Sequence, residues 1–113
     1  MEKQRVNFTE LLDIDEITHY NNKPFTGIAF QLYDSNELKH EVEMVNGLKN
    51  GNWTTYNKDG TVHIINKYKA DKLNGESKIF HISSERKLFK TTLYEDGIEK
   101  SFKYYDSEGN IKE

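Results

Sequence analysis

Hydrophobic and polar side chains alternate along this chain in short runs. Leu38, His40, Val42 and Met44 take one set of positions, Lys39, Glu41 and Glu43 the other. A period of two puts the first set on one side of a pleated strand and the second on the opposite side. Val62, Ile64 and Tyr68 share one parity, as do Leu88 and Tyr94. Between the runs stand Asn46-Gly47, Asp59-Gly60 and Asp96-Gly97, whose residues accept the positive φ of tight hairpin turns. Strands of roughly five to nine residues joined this way run antiparallel, because a parallel crossover needs a longer connection. The pattern predicts an all-β chain folded as an antiparallel meander.

The meander repeats itself. Tyr20, Met44, Tyr68 and Tyr94 recur at spacings of 24, 24 and 26, and each is followed by a polar turn. A second column, Tyr33, Tyr56, Phe80 and Tyr105, recurs at spacings of 23, 24 and 25. It too precedes turn-rich stretches, among them Ile82-Ser83-Ser84-Glu85 in the third unit. Gly27, Gly51 and Gly75 fall where a strand opens after a turn, with Ser101 in the fourth place. They mark a bulge or a close backbone approach, or else are ordinary hairpin glycines. Together the columns define about four tandem hairpin units, near residues 16–36, 37–60, 61–85 and 86–113. They form an open twisted sheet within a single domain, 1–113.

Residues 1–15 do not fit the unit and read as an N-terminal cap. Thr9-Glu10-Leu11-Leu12-Asp13 suits a single helical turn with Thr9 at its start. Glu16 to Tyr20 then reads as the first strand. An end unit has no neighbour on one side, so Val6, Phe8, Leu11, Leu12 and Ile14 are expected to cover it.

The segments Tyr20-x6-Gly27, Lys49-Asn50-Gly51-x-Trp53-x-x-Tyr56 and Leu73-Asn74-Gly75-x4-Phe80 resemble the MORN repeat in its bacterial variant form. That unit runs as tyrosine, turn, glycine, tryptophan, tyrosine, turn. The opening from Val6-Asn7-Phe8 to Ile28-Ala29 is similar to the start of the YwqK-like subgroup. The resemblance spans about Val6 to Lys112 and implies a repeat scaffold serving as the antitoxin or immunity partner of a toxin. Tryptophan survives only as Trp53, with Ala29 and Ser77 at the matching places, and Ser101 replaces the fourth glycine.

Composition narrows the function. The 113 residues include seven tyrosines, six phenylalanines and one tryptophan, which sets the chain apart from disordered sequences despite only 35% hydrophobic residues. Net charge is −3 with both signs interspersed, so no basic stripe suggests a nucleic-acid partner, and an anionic membrane would repel the chain. There is no cysteine, and no apolar run reaches membrane-spanning length. The charged opening lacks the apolar core of a signal peptide, so a cytoplasmic location is expected.

Candidate chemistry is sparse. His19, His40, His63 and His81 show no ligand spacing, so no metal is expected, and parity puts His40 and His63 on opposite faces unless a bulge intervenes. The turn aspartates have local backbone roles, and no carboxylate, serine or threonine has an identifiable catalytic companion. Gly47-x-x-x-Gly51 lacks the rest of a phosphate loop, so no cofactor is implied. No catalytic residue is expected.

The aromatics remain. Most should pack as core, but a thin sheet cannot hide both faces, and Tyr and Trp are effective interface anchors. Tyr33, Trp53, Tyr56, Tyr68 and Tyr105 are the candidate partner-binding residues. The chain therefore reads as a non-enzymatic protein-binding module; the resemblance implies that its partner is a toxin, and the small negative excess suits a basic partner surface. The competing reading is a structural scaffold that self-associates through the last strand, near Asn110-Ile111-Lys112.

Overall fold

The structure is a computed structural model, described here for residues 4–81 and 87–112. It is all β apart from one 3-10 turn, η1 (Phe8–Glu10). The strands in chain order are β1 (Arg5–Asn7), β2 (Leu12–Ile14), β3 (Ile17–Tyr20), β4 (Lys23–Pro24), β5 (Gly27–Leu32), β6 (Leu38–Val45) and β7 (Leu48–Tyr56). They continue as β8 (Val62–Lys69), β9 (Lys72–Leu73), β10 (Gly75–Phe80), β11 (Leu88–Glu95), β12 (Ile98–Tyr105) and β13 (Ile111–Lys112). The main sheet runs β1-β5-β6-β7-β8-β10-β11-β12-β13, with β9 paired to β8, while β2-β3-β4 form a small second sheet. The radius of gyration is 15.5 Å, against about 13 Å for a compact domain of this length. The open sheet is thus elongated, as stacked hairpins should be.

Two kinds of turn alternate. Asn21-Asn22, Asn46-Gly47, Ala70-Asp71 and Asp96-Gly97 have positive φ at both central residues, the mirror-image turn that matches strand twist. The other connections are five-residue loops. Tyr33, Asn57 and Asp106 each donate their N–H to the carbonyl four residues on, and each loop holds a positive-φ residue, Asn36, Gly60 or Gly109. The equivalent connection of the third unit is longer: His81 N–H donates to the Lys87 carbonyl, and the Ile82-Ser83-Ser84-Glu85 turn lies outside the described residues.

These loops correct one alignment. Tyr33 opens its loop, as Asn57 and Asp106 open theirs. The residue equivalent to Tyr56, Phe80 and Tyr105 is therefore Leu32, which gives spacings of 24, 24 and 25.

Successive units are joined by a ladder of turn contacts. Gly47, Asp71 and Gly97 donate their N–H groups to the carbonyls of Phe25, Lys49 and Leu73 in the preceding unit. One residue earlier, the N–H groups of Asn46, Ala70 and Asp96 donate to the side chains of Thr26, Asn50 and Asn74. This explains Asn50-Gly51 and Asn74-Gly75: the short amide reaches the next turn while the glycine lets the strand kink toward it. Gly27, Gly51 and Gly75 pair with Met44, Tyr68 and Tyr94 across the strands. They lie in the strands and not in the hairpin turns: a Cβ at Gly27 would meet the Gln4 carbonyl, while at Gly51 and Gly75 the close neighbours are the Glu43 and Lys67 side chains. Gly51, at φ +122, lies within a register break of the β6–β7 pair.

Bulges at the other end of each unit overturn the simple parity. Tyr56 pairs with Val62 and Thr55 with Ile64, so His63 is an extra residue and Val62 and Ile64 face opposite ways. Lys39 and Phe89 are the corresponding extra residues in β6 and β11. Parity therefore fails for Leu38 with His40, for Val62 with Ile64, and for Leu88 with Tyr94.

The N-terminus also differs from expectation. β1 joins the meander parallel to β5, with Val6 opposite Ala29. The connecting chain supplies β2–β4, so a parallel pair forms despite the short hairpins elsewhere. The 3-10 turn is capped by Asn7, whose Oδ1 accepts the Thr9 N–H at 2.9 Å, and not by Thr9. Val6 is buried with Phe25, Ala29, Val42 and Met44, and Phe8, Leu11, Tyr20 and Trp53 pack around them. Leu12 and Ile14 stay exposed and outside the core, against expectation.

Candidate functional site

The register assigns every strand residue to a face. Val6, Ala29, Val42, Trp53 and Asn66 lie opposite one another across five strands. Beside them runs a complete row: Gln31, His40, Thr55, Ile64, Ile79, Lys90, Tyr104 and Lys112. Both rows belong to the face that the N-terminal segment covers, the inner face. Met44, Tyr68 and Tyr94 share it, two residues along their strands from Val42, Asn66 and Thr92. The outer face carries Asn7, Phe30, Glu41, Thr54, Ile65, Lys78, Thr91 and Lys103 in one row.

The five aromatics expected to bind a partner are therefore divided. Trp53 and Tyr68 meet on the inner face, with ring centroids 6.2 Å apart. Tyr56 is on the outer face, where its hydroxyl donates to Glu41 at 3.2 Å. Burial, followed by the Glu41 charge, raises the pKa of that phenol. Tyr105 is on the outer face as well, its hydroxyl 3.4 Å from Thr91 Oγ1. Tyr33 sits at a loop end, donating to the Tyr56 carbonyl at 2.7 Å, with Lys39 and Lys58 each 5.6 Å from its ring centroid. No single surface presents all five.

A cavity of about 320 Å³ lies around Trp53, between the N-terminal segment and the sheet. Ala29, Val42 and Met44 form its floor, Phe8, Leu11 and Trp53 its apolar walls, and Asp13 and Lys49 are its charged lining residues. Phe8 meets Trp53 edge to face at 5.9 Å. The indole N–H of Trp53 donates to His40 Nδ1 at 3.2 Å, and Thr55 Oγ1 lies 3.0 Å from the same nitrogen. Burial, with a smaller contribution from Lys39, holds the His40 pKa below its ordinary range, so the ring is neutral and can accept. The Lys49 ammonium lies 5.1 Å from the Trp53 ring centroid and 4.8 Å from that of Tyr68. Tyr68 in turn has its pKa raised by burial first and by Asp71 second. Sequence patterning missed Lys49, because nothing in a hairpin period marks a lysine whose ammonium rests between two rings.

A second feature lies on the last hairpin. Phe89, Phe102 and Tyr104 form a chain of edge-to-face contacts, 5.6 Å at each step, and the Lys90 ammonium is 5.1 Å from the centroids of both Phe102 and Tyr104. Phe102 is 54% exposed. The covering segment packs on the first two units and leaves this end of the inner face open.

Among the described residues no group of three or more His, Asp or Glu side chains could hold a metal ion, and no helix is long and apolar enough to cross a membrane. No protein-family model, curated protein or solved structure matches the chain significantly.

Proposed function

We propose that this chain is a non-enzymatic protein-binding module of the MORN-repeat-variant type, and that it acts as the antitoxin or immunity partner of a toxin. The observation that carries the binding reading is the exposed ring cluster of Phe89, Phe102 and Tyr104 around Lys90. Aromatic rings with an interleaved cation are strong interface anchors, and contiguous exposed apolar surface on a small chain marks a docking site. The partner surface that fits it is apolar with carboxylates, since Lys90 and Lys112 share the row with Tyr104. The repeat reading is supported by the recurrence of the turn ladder, whose donors Gly47, Asp71 and Gly97 are spaced by 24 and 26 residues; the toxin comes from the sequence resemblance alone.

The test is affinity capture from the native lysate by the wild-type chain and by a Phe102→Ser/Tyr104→Ser variant. One near-stoichiometric partner held by the wild type and lost with the variant is the expected result. Bait alone, or equal capture by both, overturns the assignment. Co-expression with the captured partner then tests the antitoxin role: the wild type restores growth and the variant does not.

A second reading is favoured by the sheet edge. β13 pairs only with Tyr104 and Tyr105, which leaves the outer edge of β12 from Ile98 to Lys103 without a strand partner among the described residues. Such an edge can pair with a second copy. A monomeric mass at high micromolar concentration would exclude that scaffold role.

A further inference from the structure

The cavity around Trp53 is lined from β5, β6, β7 and the N-terminal segment, and shares no residue with the exposed ring cluster on β11 and β12. Its size falls at the lower end of small-molecule sites, which are apolar clefts with a few placed polar groups. Its floor is built from side chains that the sheet has already closed off: Ala29, Val42 and Met44 are all buried. Leu12, by contrast, lines the cavity while 63% exposed. An apolar chain lying in the cleft would cover it.

The charged groups give the cleft a direction. Asp13 Oδ1 already accepts the Thr18 hydroxyl at 2.7 Å. Lys49 has no such partner: no carboxylate among the described residues forms an ion pair with its ammonium, which is held instead against the rings of Trp53 and Tyr68. Two ring faces stabilise a cation without neutralising it. The backbone of the same residue is fixed, because its N–H donates to Asp71 Oδ1 at 2.6 Å. A cation positioned between two rings at the side of an apolar cleft, with no carboxylate of the described residues in ion-pair contact, is complementary to a chain that ends in a negative charge.

We propose that this cavity binds an amphipathic carboxylate, its apolar chain against Phe8, Leu11, Leu12 and Trp53 and its carboxylate on the Lys49 ammonium. Both a free fatty acid and the apolar C-terminus of a peptide have this chemistry.

Trp53 is the only tryptophan of the chain, so its emission reports directly on the cavity. The experiment titrates the full chain with decanoate and decanol, and with a short leucine-ending peptide as its free acid and its C-terminal amide. At least one acid should give a saturable change in Trp53 emission, about tenfold tighter than its neutral counterpart, as one charge-assisted contact provides. Lys49→Met, which keeps the stem that packs on the rings, should remove that preference while circular dichroism shows the sheet retained. Whichever acid binds tighter identifies the source. Equal binding of acids and neutral counterparts, a preference that survives Lys49→Met, or no saturable change with any of the four compounds overturns the proposal. Should Lys49→Met lose the sheet, Lys49→Arg replaces it, and the proposal then requires the preference for the acid to persist.

Discussion

Trp53 donates its indole N–H to Nδ1 of His40, its neighbour on the inner face, at 3.2 Å. That bond exists only while His40 is neutral, since protonation turns Nδ1 from acceptor to donor. Because burial lowers the folded pKa beneath the ordinary 6.5, the unfolded chain takes up the proton first as pH falls. The contribution is fully present above about pH 6.5 and declines as pH drops through the lowered folded value. Urea denaturation at stepped pH, followed by Trp53 emission, should show this decline. His40→Gln, which keeps an acceptor and cannot titrate, should flatten it. An unchanged slope would mean that His40 does not carry the effect.

The turn ladder makes a graded prediction. Asn74 Oδ1 accepts the Asp96 N–H at 3.0 Å, and Asn50 Oδ1 accepts the Ala70 N–H at 3.3 Å. Asn74→Ala should cost about 1 kcal/mol, and Asn50→Ala less because its bond is longer and Asn50 is exposed. Urea midpoints of the two variants test the order. Equal or negligible losses would show that the backbone contacts alone hold neighbouring units together.

Two glycines with similar backbone angles should respond differently to alanine. Gly47 and Gly60 have φ of +82 and +91, so each substitution carries a conformational cost of about 1–2 kcal/mol. A Cβ at Gly60 meets nothing within 4 Å, while one at Gly47 would run into Ile17 Cγ2 and the Thr18 carbonyl. Gly47→Ala should therefore be clearly the more destabilising in thermal denaturation, and similar melting shifts would contradict the packing of β3 on that turn.

Tyr33→Phe removes a 2.7 Å bond to the Tyr56 carbonyl, which ties the first loop to the second. A loss of about 1 kcal/mol is expected. Tyr105→Phe removes only a 3.4 Å contact with Thr91 and should be close to neutral. Parallel denaturation of both variants separates a loop-bridging phenol from one that merely packs.

Much of the fold is legible in the sequence, because period-two alternation and Asn-Gly or Asp-Gly turns act over a few residues. The anchors Met44, Tyr68 and Tyr94 do occupy equivalent places on the inner face. What escaped the pattern was non-local. β1 pairs with β5 across some twenty residues, and neither the parallel geometry nor the Val6–Ala29 contact leaves a local trace. The bulges at Lys39, His63 and Phe89 invert parity without any glycine or proline to mark them. The candidate binding residues were chosen by repeat spacing, which finds equivalent positions but not the face each one takes. Trp53 and Tyr68 fell together; Tyr56 and Tyr105 fell on the other side, and Tyr33 at a loop end. Lys49 and the Phe89–Phe102–Tyr104 cluster depend on three-dimensional neighbours and on which units the N-terminal segment covers.

The parallel pairing of β1 with β5 makes the two ends of the array unlike. A three-residue parallel strand borders one end, and β12 beyond β13 the other. Each hairpin widens the sheet by two strand spacings, about 10 Å, and only an insertion of one whole period keeps Asn50 and Asn74 in step with the turns they hold. The scaffold can therefore lengthen only in discrete increments, and its span is quantised by the same hydrogen bonds that keep it folded.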